Sequence, residues 1–571
     1  MVIGSGFGGA VTAYHLARDS NLRVLLLERG MPYPPGSFPR TPRAMRTNFW
    51  DPSGGLHGLY ELWSLRHVRA MVASGLGGGS LIYANVMLRK PPETFAADPA
   101  NGSMPWPVGY AELADEYAEA EAVMDPSTLP PEYRGESDPS SRVVKTDAFR
   151  AAAASSGLKS ELAPLAITFR ADGATTAVPG TPLPGGNLHG RPRHTCTLVG
   201  ECDLGCNQGA KNSLDYTYLD RFLRAGGDRA RIFTCCEATA VEPAPGGYRV
   251  RYVEHAAARR LVGRRRRFHE TGAELLDPDT PDTSDDWTRA VTAGVVVVAA
   301  GTFGSTRLLL GSRVHLPRLS GQLGRRFSTN GDLLTFARDC RDPVDGAWRD
   351  LEPSLGPTIT AYVAAEVDGH RLWMEDAGGP ALSEWAWQSG EMARDAWSAR
   401  ALLPALAVGQ RGGRISRLVA RALGSAASSS AMLPMLTMGQ DISGGRFRLE
   451  GDGLALDWDP DGPSRAYFDA AHTLAGRMAA GLGGRLGPPL WARLARGLTA
   501  HPLGGCPMGA DPATGVVDDR GEAFGHPGLF VADGSIMPGP VGPNPSLTIA
   551  ALAGRIGKAA REVAVARAGP R

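Results

Sequence analysis

The chain lacks several things that would have narrowed its reading in other directions. No apolar run approaches the roughly 20 residues needed to span a bilayer. Neither charge sign dominates: 60 Lys and Arg face 59 Asp and Glu, leaving a net charge of +1. A nucleic-acid partner and an electrostatically bound membrane are therefore not indicated. Seven cysteines scattered over 571 residues do not form a disulfide framework. Arginine far outnumbers lysine, which reads as coding bias. What is abundant is glycine, 73 residues, and proline, 44, the residues that set turns and close backbone approaches. With 43% hydrophobic residues, the chain is long enough for a large core and too long for one ordinary domain.

The glycines are placed with purpose at the N-terminus. In MVIGSGFGGAVTAYHLA, Gly4, Gly6 and Gly9 satisfy G-x-G-x-x-G between an apolar strand and a helical pattern. The first glycine permits the tight turn, the second admits a pyrophosphate to the backbone, and the third lets helix pack on strand. The helix then aims its positive end at the phosphates. A second strand, LRVLLLERG, ends at Glu28, which stands 24 residues after Gly4. That is close to the roughly 20 expected of a ribose-hydroxyl acceptor. Dinucleotide binding is the expectation, although FAD and NAD are not separated by these residues. The three residues ahead of Gly4 are short for such a strand. Residues upstream are therefore expected, and they leave secretion open beside a cytoplasmic or membrane-peripheral location. A further buried run, AGVVVVAAGTFGSTRLLLGS from Ala293 to Ser312, suits a parallel strand followed by another glycine turn.

Two C-terminal phrases, HPLGGCPMG from His501 and PGPVGPNPSLTIAALAGR around Asn544, set single polar groups in glycine- and proline-rich backbone. With SGLGGGSLIYANVMLRKP, Ser74 to Pro91, they complete five motifs in one order over nearly the whole chain. In that order the sequence resembles the glucose–methanol–choline (GMC) family of FAD-dependent oxidoreductases, nearest its cholesterol oxidase branch.

The resemblance implies an α/β fold with a discontinuous, doubly wound, Rossmann-like FAD-binding domain from residues 1–34, 214–315 and 515–571. Residues 35–213 and 316–514 would form an α+β substrate-binding domain on a mixed or antiparallel sheet, with the 74–91 loop touching the flavin. It implies FAD contacts from Gly4, Gly6, Phe7, Gly9, Glu28, Gly78, Gly79, Ser80, Asn85, Ala238, Asp533, Gly534, Asn544, Pro545 and Ser546. The short-form sterol oxidase pattern has an asparagine two residues after its Ser-Leu step; here Tyr83 stands near that place and Asn85 follows. FAD is expected to be non-covalent, because no histidine lies near the GGGS loop.

The implied chemistry is oxidation of an alcohol, with the hydride going to flavin and the hydroxyl proton to a base. His501 suits that base, since imidazole titrates near neutrality, and Asn544 offers an uncharged donor and acceptor. A third group is sought from the family segment Pro-Ala-Gly-Leu-Glu-Thr-Trp. Pro380-Ala381-Leu382-Ser383-Glu384-Trp385 matches after a one-residue shift, which nominates Glu384 as a base or isomerisation group, with Glu375 of LWMEDAGG as its competitor. Aromatic NFWDPSGGLHGLYELW and Met-rich MLPMLTMGQDI suit either an apolar cavity or ordinary core.

The implied substrate is a bulky apolar secondary alcohol, a 3β-hydroxysterol leading. Alternatives are a long-chain or natural-product alcohol, or a non-redox flavin lyase or isomerase. O2 or another acceptor would reoxidise the flavin. The Ala/Leu/Arg-rich stretch 393–430 is read as a helical lid, a peripheral membrane contact or a solvated helix pair. Cys196, Cys202 and Cys206 would fit C-x2-C-x2-C-x3-C only if Val199 were cysteine. A structural thiol loop, a Cys202–Cys206 disulfide and a metal site with a remote ligand stay open, and no metal is assigned.

Overall fold

The computed structural model describes the chain except for residues 98–103, 135–141, 257, 261–286, 343, 381–429, 452, 488–496 and 569–571. Its first organising element is a five-stranded parallel sheet ordered Ala230–Phe233, Val24–Leu27, Val2–Ile3, Val296–Val298, Leu529–Val531. Segments hundreds of residues apart meet in it. Val2, Leu26, Val296, Val297, Val298, Leu529 and Val531 are fully buried, as β-branched and aliphatic strands covered on both faces should be. Two helices cover one side: Phe7–Ala17, which follows the glycine fingerprint, and Ser546–Ala568, which packs directly on it. The contact is close because glycines lie between them; a Cβ on Gly557 would sit 2.8 Å from His15 Cβ.

The second element is a six-stranded antiparallel sheet ordered Arg485–Leu486, Leu333–Arg338, Leu433–Gly439, His370–Asp376, Ala361–Val367, Ser160–Leu162. Its side chains alternate as strands require. Leu372, Met374, Leu433, Met435, Ala361 and Val363 pack against helices Val144–Ser155 and Arg465–Gly481. The opposite face carries Trp373 and Glu375, with Leu436, Met438 and Tyr362 paired beside them. Glu375, near the end of its strand, is a buried carboxyl on this otherwise apolar face. The segment around Glu384 and the 393–430 stretch, apart from its last residue, lie outside the described residues. Among the described residues, no helix is long and apolar enough to cross a membrane.

Candidate active site

At the carboxyl end of the parallel sheet the glycine fingerprint and the second glycine loop are pressed together. A Cβ on Gly78 would lie 2.6 Å from Gly6 Cα, and Gly78 itself holds φ +54°. Only glycine accommodates both conditions. Ser5 fastens the junction: its hydroxyl accepts from Gly77 N at 2.9 Å and donates to Glu28 Oε2 at 2.5 Å. Glu28 also accepts from Ser5 N at 3.0 Å and from Gly30 N at 2.8 Å. Burial raises its carboxyl above the ordinary range, and these donors oppose that rise. The motif does not mark Ser5, because the x positions of G-x-G-x-x-G carry no stated role.

The other residues expected around a flavin fall as follows. Gly6, Gly79 and Gly301 each face space in which a Cβ would meet nothing within 4 Å. Asn85 is wholly buried at φ +71°, and neither its amide nitrogen nor its oxygen has a hydrogen-bond partner among the described residues. A buried, unsatisfied amide costs about 1–3 kcal/mol unless a ligand completes it. Ser80, by contrast, is committed to protein: its hydroxyl donates to Gly77 O at 2.7 Å and accepts from Leu214 N at 3.0 Å. Phe7 packs edge-on against Tyr83, their centroids 5.5 Å apart. Asp533 accepts from Gly301 N and Ser535 N at 2.8 and 2.9 Å and from the Ser305 hydroxyl, so it joins one helix start to the turn containing Gly534. Ala238 sits at a bulge in the strand Cys236–Ala244 and packs on the main core. Pro545 opens the last turn before the Ser546–Ala568 helix, its carbonyl accepting from Ile549 N. Open glycine faces and an orphaned amide fit a large planar cofactor.

His501 and Asn544 are both set by one short turn, Ser328-Thr329-Asn330-Gly331-Asp332. Asp332 Oδ1 lies 2.8 Å from His501 Nδ1, while its Oδ2 accepts from Thr499 Oγ1, Ala500 N and His501 N at 2.9, 2.8 and 3.1 Å. Two residues earlier, Asn330 accepts from Val541 N and Gly542 N and donates to the carbonyls of Gly542 and Pro543, all within 3.2 Å. It thereby fixes the backbone immediately ahead of Asn544. Trp373 braces the same loop, since a Cβ on Gly542 would lie 2.8 Å from its ring. Lys90, buried over the Trp106 ring at 4.5 Å, donates to Pro540 O at 2.9 Å; burial holds its ammonium well below the usual lysine range.

Asn544 Nδ2 reaches Glu375 Oε2 at 3.4 Å. Glu375 is the carboxyl that the structure brings to the site; Glu384 lies outside the described residues. Burial pushes the Glu375 carboxyl up to about 8, with the negative charges of Asp376 and Asp332 adding to the rise and Asn544 opposing it. Its Oε1 and the Asn544 Oδ1 are buried without partners among the described residues. Cys196, Cys202 and Cys206 stand apart from this cluster, and no disulfide joins any of the seven cysteines. Among the described residues no group of three or more His, Cys, Asp or Glu is arranged to hold a metal. Lys211 ties the cysteine loop to the second glycine loop by donating to Cys202 O, Leu81 O and Tyr83 O at 2.8, 3.1 and 2.7 Å.

Comparison with known proteins agrees with this arrangement. Residues 2–32 match the model of an NAD(P)-binding Rossmann-like domain, and residues 490–553 match that of the GMC oxidoreductase C-terminal region. A cholesterol oxidase of Mycobacterium tuberculosis (strain ATCC 25618 / H37Rv) is 30% identical over 97% of this chain and 89% of its own length. A cholesterol oxidase of Acinetobacter baumannii is 25% identical over 97% of this chain and 93% of its own. The crystal structure of pyridoxine 4-oxidase from Mesorbium loti shares the fold, with a TM-score of 0.57 at 17% identity over 98% of both chains. The class is thus a flavin-dependent alcohol oxidoreductase. Within it, the chain belongs to the GMC oxidoreductase family.

Proposed function

We propose that the chain oxidises the secondary hydroxyl of a bulky apolar alcohol to a ketone, a 3β-hydroxysterol being the leading substrate. The observation that carries this reading is the Asp332–His501 and Glu375–Asn544 arrangement at the end of an apolar sheet face. A carboxylate accepts and cannot donate, so His501 Nδ1 carries the hydrogen and Nε2 holds the lone pair. His501 Nε2 takes the hydroxyl proton, and the second Nδ2 hydrogen of Asn544 orients the alcohol oxygen. FAD, when bound, accepts the hydride from the alcohol carbon. We read its binding as non-covalent, because the Gly77–Ser80 loop carries no histidine. Glu375, held by burial at about 8, is placed to take a proton from beside the new carbonyl in its ionised form and to return it.

The residues that flank that carboxyl support the choice of substrate class. Trp373, Leu436, Met438 and Tyr362 share its sheet face, so the surroundings of the carboxyl are apolar and suit an apolar alcohol. The cholesterol oxidases among its relatives support the sterol choice. The test is a product assay with cholesterol and with a straight-chain primary alcohol in detergent. Conversion of cholesterol to its 3-ketone, absent in His501→Ala, supports the proposal. Turnover of the straight-chain alcohol alone would discard the sterol while keeping the chemistry.

A further inference from the structure

The side chain of Asp332 is 1% exposed, yet no lysine or arginine is paired with it among the described residues. Its charge is held by four donors, all from Thr499, Ala500 and His501. Such a carboxylate is costly to bury for structure alone, because apolar residues of similar volume would serve as well. The turn that carries it is itself pinned. Tyr467 donates to Gly331 O at 2.8 Å, and a Cβ on Gly331, at φ +68°, would lie 2.2 Å from that hydroxyl. The carboxylate therefore cannot drift from the ring it faces.

We propose that Asp332 is a positioning residue for His501: it fixes the imidazole as its Nδ1–H tautomer and offsets the positive charge that develops when Nε2 accepts the substrate proton. This rests on the reading of His501 as the proton acceptor. With Asn330 fixing the Asn544 loop from two residues away, one turn sets the spacing of both polar groups. An asparagine at position 332 keeps the shape of the side chain but offers an N–H to Nδ1. The ring then turns to its Nε2–H form and loses its acceptor toward substrate.

The experiment compares FAD-loaded wild type, Asp332→Asn, Asp332→Glu, His501→Ala and the Asp332→Asn/His501→Ala double variant. Two readouts are taken: anaerobic flavin reduction by cholesterol, and the imidazole 15N spectrum without any substrate. Asp332→Asn is expected to slow flavin reduction by about 10²–10⁴-fold with KM changed less than about threefold. Asp332→Glu restores the rate to within about tenfold of wild type. In the His501→Ala background, Asp332→Asn adds less than about twofold, because its effect passes through a ring that is gone. In the spectrum, the Nδ1–H signal absent from His501→Ala changes to the Nε2–H form in Asp332→Asn. An unchanged His501 signal, or equal rate losses from Asp332→Asn with and without His501, would overturn the proposal. If the tautomer changes as stated while no flavin is reduced in wild type, Asp332 still sets the ring, and the redox reading is what fails. Should Asp332→Asn not retain FAD, Asp332→Glu decides: an Nδ1–H signal kept with a rate within about tenfold of wild type supports the role, and an Nε2–H signal beside a wild-type rate contradicts it.

Discussion

Asn544 Nδ2 and Glu375 Oε2 lie 3.4 Å apart, both buried, where the GMC C-terminal segment meets the antiparallel sheet. The contact joins a loop and a strand 169 residues apart in sequence. It also makes Glu375 the most consequential titrating group at the site.

With burial holding Glu375 at about 8 against an ordinary value of 4.5, its native form keeps a proton that the unfolded chain releases. Between those values the unfolded state binds fewer protons, so stability falls as pH rises through that window. Glu375→Gln removes this dependence. The variant is expected to melt at the same temperature as wild type near pH 4.5 and several degrees above it at pH 8.5, by thermal scanning of the holoenzyme. Parallel melting curves at both pH values would contradict the placement.

Two glycines of the second glycine loop predict different outcomes for stability. Gly78→Ala drives a Cβ into Gly6 Cα at positive φ, so the variant is expected to lose the bound flavin and much of its stability. Gly79→Ala meets no protein atom within 4 Å, so the apoprotein folds as before while FAD binds at least about tenfold more weakly. Flavin absorbance per protein and apoprotein melting measure both.

Lys211 bridges the cysteine loop and the second glycine loop through three carbonyls. Lys211→Met leaves those oxygens without their donor and should cost about 3 kcal/mol in denaturant unfolding. Cys206→Ser should leave both stability and flavin content near wild type, since no disulfide joins the cysteines.

The glycine fingerprint and Glu28 are legible in the sequence because they sit inside a pattern whose spacing carries its own physics, whereas His501 and Asn544 come forward only through the family resemblance of their segments. Asp332 and Asn330 are not legible: their partners are 169 and 211 residues away, and nothing local marks them. Glu375 is visible only as a competitor. The local match favours Glu384, whereas strand alternation in LWMED puts Glu375 beside Trp373 on the site face. Asp376, next to it and equally buried, is paired with Lys145, so Glu375 is the carboxyl of this strand that lacks a cationic partner among the described residues, and burying such a group demands a reason. Ser80 reads as a cofactor contact from its place beside three glycines, yet its hydroxyl closes its own turn and caps Leu214.

The most direct test of alcohol oxidation at this site is anaerobic mixing of the yellow holoenzyme with cholesterol while flavin absorbance is followed. Rapid bleaching is expected in wild type. His501→Ala should slow it by about 10²–10⁴-fold, Asn544→Ala should slow it markedly, and both variants should keep their FAD. Bleaching that proceeds at the wild-type rate in His501→Ala would contradict the assignment of His501 as the proton acceptor.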